Sequence, residues 1–266
     1  MKRLLIIAAF YWVMLSSLGT VAAESDEFPL RKDFPDLTPI TTQELADIYA
    51  KGEAIVIDVR SEFEYHTIHI KDAYLVPLAK KSFLADLEQV RGKTAAQPLV
   101  FYCNGTTCAK SYRATKQAQD GGFANCFVFD AGIFQWTKAH PEWATLIGKT
   151  PADPTKLISK SALQAKTLSY EKFKSESAAP DTVVIDVRDP VQRKVRLDLP
   201  NERNIPLDRI DNLLQKGDMK DKRLLIYDAV GKQVTWLMYH LEDSGYSNYA
   251  FLDGGVRKAI GDTKHF

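Results

Sequence analysis

The 266-residue chain has only three Cys, 14 Gly and 12 Pro, and its 35 basic residues almost cancel its 34 acidic ones. So few Cys exclude a small disulfide-stapled scaffold, and an odd number cannot all pair within the chain. Little Gly and Pro beside 45% hydrophobic residues exclude collagen-like and disordered chains. A formal net charge of +1 supplies no basic excess for holding nucleic acid, and none is expected as a partner. What is present is an ordinary globular composition, long enough for one large core or two modest ones.

The first residues read as a targeting segment. Lys2-Arg3 precede an uncharged stretch from Leu4 to Ala23, which ends in the small residues Val21-Ala22-Ala23 before Glu24. A basic start, an apolar middle and small residues at the cut predict a signal peptide over 1–23. The same stretch just reaches bilayer length, so an uncleaved anchor is the alternative, and a membrane is a partner only in that case. Ser16, Ser17, Gly19 and Thr20 weaken its second half as a span. Both readings predict an exported protein, periplasmic in a bacterium. Cleavage leaves 243 residues with a formal charge of −1.

The remainder repeats itself. Ala54-Ile-Val-Ile-Asp58-Val-Arg60 returns as Thr182-Val-Val-Ile-Asp186-Val-Arg188, 128 residues later. Pro98 to Tyr102 matches Arg223 to Tyr227, Asp120-Gly-Gly122 matches Asp243-Ser-Gly245, and Asp130-Ala-Gly132 matches Asp253-Gly-Gly255. Blocks in one order with slowly drifting offsets mean a duplicated domain. The expected division is a lead-in over 24–38, a first domain over 39–146, a linker over 147–156 and a second domain over 157–266. Short apolar runs (Ile55 to Asp58, Leu99 to Tyr102, Cys126 to Phe129) read as buried parallel strands. Helical stretches lie between them: Thr42 to Ala50 behind a capping pattern, Ser82 to Val90, and Cys108 to Asp120 ending at Gly121-Gly122. Alternation of this kind predicts three-layer α/β domains.

Cys103 follows the Leu99 to Tyr102 strand and precedes a helix. Open α/β sheets bind ligands at the carboxyl ends of their strands. Free N–H groups and the positive end of a helix stabilise a thiolate there, and Lys110 and Arg113 add charge. Gly105 lets the backbone curl round the sulfur. Cys103 is therefore the candidate nucleophile, and the loop amides are a candidate anion cradle.

The set formed by Ile57-Asp58-Val59-Arg60 with Glu64-Tyr65, His69-Ile70 with Ala73, the strand–Cys103–loop–helix unit, and Asp130-Ala131-Gly132 with Trp136 resembles the tandem rhodanese (sulfurtransferase) family. The resemblance implies a mostly parallel five-stranded sheet flanked by helices in each of two domains. It implies that Cys103 takes a sulfane sulfur from thiosulfate or a similar anion as a persulfide and gives it to a thiol or to cyanide. Asn104, Gly105, Thr106, Thr107, Cys108 and Lys110 would bind the anion. A protein sulfur acceptor is a further candidate partner, and no cofactor or metal is expected. Three departures stand out: Ile68 and Asp72 replace usual Gly positions, and Gly105 comes second after Cys103 rather than third. The slightly longer loop is similar to that of phosphatases, but their Arg is Ala109 here, so the fork that clamps phosphate is missing.

In the second copy Asp228 stands where Cys103 stands in the first, and no His-Ile element follows Arg188. A non-catalytic copy is the expectation, with a ligand site at Asp228 and Gly231-Lys232 as the sharper alternative. Cys108 is a candidate resolving thiol or sulfur acceptor, or a small residue at the helix start. Cys126 reads as a buried inert thiol. His66 and His69 with Glu62 and Glu64 make a poor metal set. Arg60 and Arg188, shared by both copies, read as structural ion-pair partners, and Trp136 and Trp143 as packing residues. Two further readings stay open: a sulfur carrier with little turnover, and a non-enzymatic protein with a Cys103–Cys108 disulfide.

Overall fold

A computed structural model of the chain describes residues 27–92 and 97–261. The segment read as a signal peptide lies outside the described residues. The described chain divides into two compact units, one up to Thr145 with Thr150–Pro154, the other Leu146–Lys149 with Thr155 onward.

The first unit runs β1 (Thr38–Pro39), α1 (Thr42–Ala50), β2 (Ile55–Asp58), α2 (Glu62–Thr67), β3 (Ile68–Ile70), β4 (Tyr74–Leu75), α3 (Phe83–Arg91), β5 (Leu99–Tyr102), α4 (Lys110–Asp120), β6 (Cys126–Phe129) and α5 (Gly132–Ala139), followed by β7 (Ala144–Leu146). Its main sheet has the order β1-β6-β5-β2-β4, and every ladder is parallel. Short β3 and β7 pair separately. The central strands β2 and β5 are buried along their whole length, as continuous apolar runs must be when helices cover both faces. The register sets Asp58 opposite Tyr102 and Tyr102 opposite Phe129, so these strands end together on one rim.

Local chemistry starts two of the helices. Thr41 caps α1 and Ser61 caps α2, each in a reciprocal box with the Glu three residues on. Such caps contribute about 1 kcal/mol each. The segment read as a lead-in packs on this unit through side chains. Leu30, Phe34 and Leu37 sit against Tyr112 and Val128, and Arg31 bonds Asp130 at 2.8 Å. Nothing in its residue spacing marks this, because contacts and not periodicity hold it.

The second unit runs α6 (Lys160–Ala165), β8 (Thr167–Leu168), α7 (Tyr170–Ser177), β9 (Thr182–Asp186), β10 (Glu202–Asn204), α8 (Leu207–Gln215), β11 (Arg223–Tyr227), α9 (Gln233–Asp243), β12 (Tyr249–Leu252) and α10 (Gly255–Ala259). Its sheet order, β10-β9-β11-β12-β8, is the first unit's order read from the other edge. Asp186 again pairs in register with the last strand residue, Tyr227.

The repeated Asp-Val-Arg is a structural ion pair in both copies. Arg60 Nε donates to Asp58 at 2.9 Å and Nη2 at 2.6 Å, with both side chains fully buried. Arg188 repeats this on Asp186 at 2.9 and 2.8 Å. Each guanidinium also lies over the tyrosine that ends the neighbouring strand. Breaking one such pair strands a buried charge, at a cost of about 3–5 kcal/mol.

Candidate active site

The chain leaves β5 at Tyr102, turns through Cys103 to Ala109 and enters α4 at Lys110. A strand has period two, so Leu99, Phe101 and Cys103 share one face. That face packs in the core with Ile57, Val59 and Ala114. Cys103 is 1% exposed. Its thiol donates to the Cys108 carbonyl at 3.1 Å and lies 3.5 Å from Ser111 Oγ. Burial pushes its pKa well above the ordinary thiol value, so the group stays protonated. Cys103 thus lies buried on the core side of the loop, where bonds from Ser111 act against the burial. The side chain continues the inward parity of the strand instead of standing out into the loop.

The cradle holds the other sulfur. The neighbouring Cys103 side chain and the backbone N–H groups of Asn104 and Lys110 favour charge on Cys108. The Cys103 hydrogen bond lowers the Cys108 pKa most. Burial opposes it, and the two amides with the Lys110 charge complete a fall to about 6. Cys108 is half-buried and packs at the edge of the core that holds Cys103. A thiol with this pKa is mostly thiolate at pH 7.

Glu64 fixes the two residues whose amides form the cradle. Its Oε1 accepts from Asn104 Nδ2 at 3.1 Å and its Oε2 from Lys110 Nζ at 3.2 Å. The same carboxylate closes the α2 cap with Ser61. Burial works against its ionisation, but Lys110, Arg60 and the Ser61 bonds hold its pKa below the usual value. Arg60 Nη1 donates to Asn104 Oδ1 at 3.3 Å, which ties the loop to the buried ion pair. Gly132, at φ +69°, allows α5 to start against this loop. A Cβ there would collide with the backbone of Asn104 and Gly105.

The other expected site residues are distributed as follows. Gly105, at φ +154°, lies close to the start of α5: a Cβ there would be 3.3 Å from the Ala131 carbonyl oxygen. Thr106 is half-buried and Thr107 exposed. The Lys110 ammonium is engaged by Glu64 rather than left facing an anion. Arg113 is exposed and lines a shallow cavity of about 340 Å³ with Phe34, Leu84 and Lys116. Burial raises the Cys126 thiol to about 11. His69 Nδ1 lies 2.8 Å from the Tyr65 carbonyl and its ring stacks on Tyr65, while His66 faces Glu62. Trp136 is fully buried, and its Nε1 donates to the Trp143 carbonyl. Sequence reasoning missed the Glu64 clamp. The one trace of it is the Ser61-x-x-Glu64 capping pattern, identical in kind to Thr41-x-x-Glu44.

In the second unit the loop after β11 has its own anion. The Asp228 carboxylate accepts from the backbone N–H groups of Val230 at 2.8 Å, Gln233 at 2.5 Å, Val234 at 3.2 Å and also Gly231. Asp228 is fully buried. The Gly231 amide that a ligand would need is therefore already satisfied.

A family model described as a rhodanese-like domain matches residues 41–139 and, a second time, 169–260. The chain belongs to the rhodanese family. Among curated proteins this tandem rhodanese is 30% identical over 103 residues to the uncharacterized protein slr1261 of Synechocystis, covering 39% of this chain and 52% of that one. It is 33% identical over 100 residues to the HTH-type transcriptional regulator Rv0324 of Mycobacterium tuberculosis, covering 38% of this chain and 42% of the regulator. The chain thus spans about half or less of these relatives' lengths. Among solved structures it resembles a thiosulfate sulfurtransferase from Pseudomonas aeruginosa, with a TM-score of 0.39 and 18% identity over 85% of this chain and 43% of that one.

Proposed function

We propose that the protein is a sulfurtransferase that carries a sulfane sulfur as a persulfide on Cys108. The observation that supports this most is the half-buried Cys108 at the start of α4, whose pKa the neighbouring Asn104 and Lys110 amides help lower to about 6. The rhodanese family handles sulfur donors and thiophilic acceptors, and the site matches that chemistry. The Cys108 thiolate attacks the outer sulfur of thiosulfate in line. The S–S bond of the donor breaks, sulfite leaves with the electron pair, and Cys108 keeps the sulfur as a persulfide anion. The two amides that hold the thiolate also stabilise the persulfide. A thiol or cyanide then takes the outer sulfur and returns Cys108 to the thiolate. All proton and charge handling here comes from the chain itself.

The test is sulfite release and peptide mapping of the full chain after incubation with thiosulfate. About one sulfite per chain, with Cys108 consumed as the persulfide or as a disulfide formed from it, and both lost in Cys108→Ser, is the expected result. No sulfite, or sulfur mapped to Cys103 alone with Cys108 still alkylatable, contradicts the proposal. Loading without multiple turnovers in a steady-state assay would identify a sulfur carrier. The second domain is proposed to be non-catalytic, since Asp228 cannot carry sulfur and fills its own loop. Export is proposed on residues 1–23, and N-terminal sequencing of the protein from its native cell should read from Glu24.

A further inference from the structure

Two thiols stand side by side at this site, and sulfur transfer by Cys108 uses one of them. We infer that Cys103 is a resolving thiol, whose sulfur attacks the Cys108 persulfide and expels the outer sulfur as hydrosulfide. This rests on the persulfide proposed above. The support is positional. The Cys103 sulfur lies 3.1 Å from the Cys108 carbonyl oxygen, so the two cysteines are packed against each other across the loop. At 1% exposure Cys103 is closed to donors and acceptors in solution, yet it is in contact with Cys108. Cys126, the remaining thiol, hydrogen-bonds instead to the carbonyls of Phe123 and Ala124. Both Cys103 and Cys108 are free thiols in this structure, the state in which a cycle must begin.

The step balances. Cys103 forms an S–S bond to Cys108 Sγ, the bond from Cys108 Sγ to the outer sulfur breaks, and the proton of Cys103 leaves with that sulfur as HS⁻. The sulfane sulfur gains two electrons, and the two cysteine sulfurs lose them in becoming a disulfide. A dithiol reductant then restores both thiols by disulfide exchange. Burial keeps Cys103 protonated until a persulfide arrives, so the departing sulfur is supplied with its proton. With thiosulfate and a dithiol, the products are sulfite, hydrosulfide and oxidised dithiol.

The experiment uses the full chain, thiosulfate without reductant, alkylation quench, peptide mapping and a sulfide assay. Wild type should show a Cys103–Cys108 disulfide and release about one hydrosulfide per chain. Cys103→Ser, which keeps a donor to the Cys108 carbonyl, should retain the persulfide on Cys108 and release at least about tenfold less hydrosulfide. Cys103→Ala is the second variant: it loses that donor and should load more slowly, but the persulfide that does form should stay on Cys108 without releasing hydrosulfide. The inference is overturned if wild type keeps the persulfide beside an alkylatable Cys103, or if hydrosulfide release is unchanged in both variants. Should neither variant fold, the wild-type peptide map decides. Failure of the underlying proposal looks different: no persulfide forms on Cys108 in any variant, which overturns both.

Discussion

Two loops occupy the same place in two copies of one domain, after β5 and after β11, and each must satisfy amides left free where a strand hands over to a helix. The second domain answers with a fixed carboxylate. Asp228 takes four N–H groups on its two oxygens and is sealed from solvent. The first domain has a thiol at the matching position, and that thiol is turned into the core. Its cradle is left to the sulfur of Cys108, which is half exposed. The contrast teaches that the cradle's need is for negative charge. A buried carboxylate that fills its own loop makes a closed structural element, whereas a half-buried thiol makes a site that can exchange its cargo.

The largest expected effect breaks the first loop. Cys108→Ser should reduce persulfide loading by about 10³-fold or more, as loss of an attacking group does. Equal loading in that variant, by intact mass, would move the reactive sulfur back to Cys103. The second loop breaks at Asp228→Ala, which leaves several buried amides without an acceptor and should destabilise that domain by about 3 kcal/mol. Hydrogen exchange in α9 peptides reads this. Sulfate should restore part of the protection in Asp228→Ala and none in wild type, because only the variant has an empty cradle. A change under about 0.5 kcal/mol, within the scatter of surface substitutions, would remove the internal-anion reading.

The third pair of changes tests both loops alike. Gly132→Ala and Gly255→Ala each push a Cβ into the adjoining loop backbone at positive φ. Each should cost its own domain roughly 2–4 kcal/mol, with thermal melts as the readout. Gly132→Ala alone should also slow persulfide loading. The smallest effect belongs to Glu64→Gln. Gln keeps the α2 cap but loses the charge that holds Lys110, and loading should slow by no more than about tenfold.

Much of this was legible in the residues. The duplicated Asp-Val-Arg blocks marked both central strands, and their recurrence in a copy without Cys pointed to structure rather than catalysis. The capping pattern at Thr41 announced α1, whereas the same pattern at Ser61 went unread and α2 with it. The loop was harder to read, because a cysteine just after a strand looks like a nucleophile whichever way it faces. The alternation of Leu99, Phe101 and Cys103 carries the answer only once the strand's last residue and its packed face are known. Asp228 marked a copy without the sulfur, but the four amides that its carboxylate accepts are visible only in the fold. Glu64 joins residues 40 and 46 positions away, and no local pattern shows such a bond.

The most direct measurement is the pH dependence of alkylation by iodoacetamide, with peptide mapping to tell the two thiols apart. A thiol whose pKa lies near 6 is unreactive below that pH and gains reactivity as it ionises. Label should therefore enter Cys108 with a midpoint near pH 6 and level off by neutral pH, while Cys103 stays unlabelled. Label entering Cys103 first, or a Cys108 midpoint at the ordinary thiol value of about 8.5, would contradict the account.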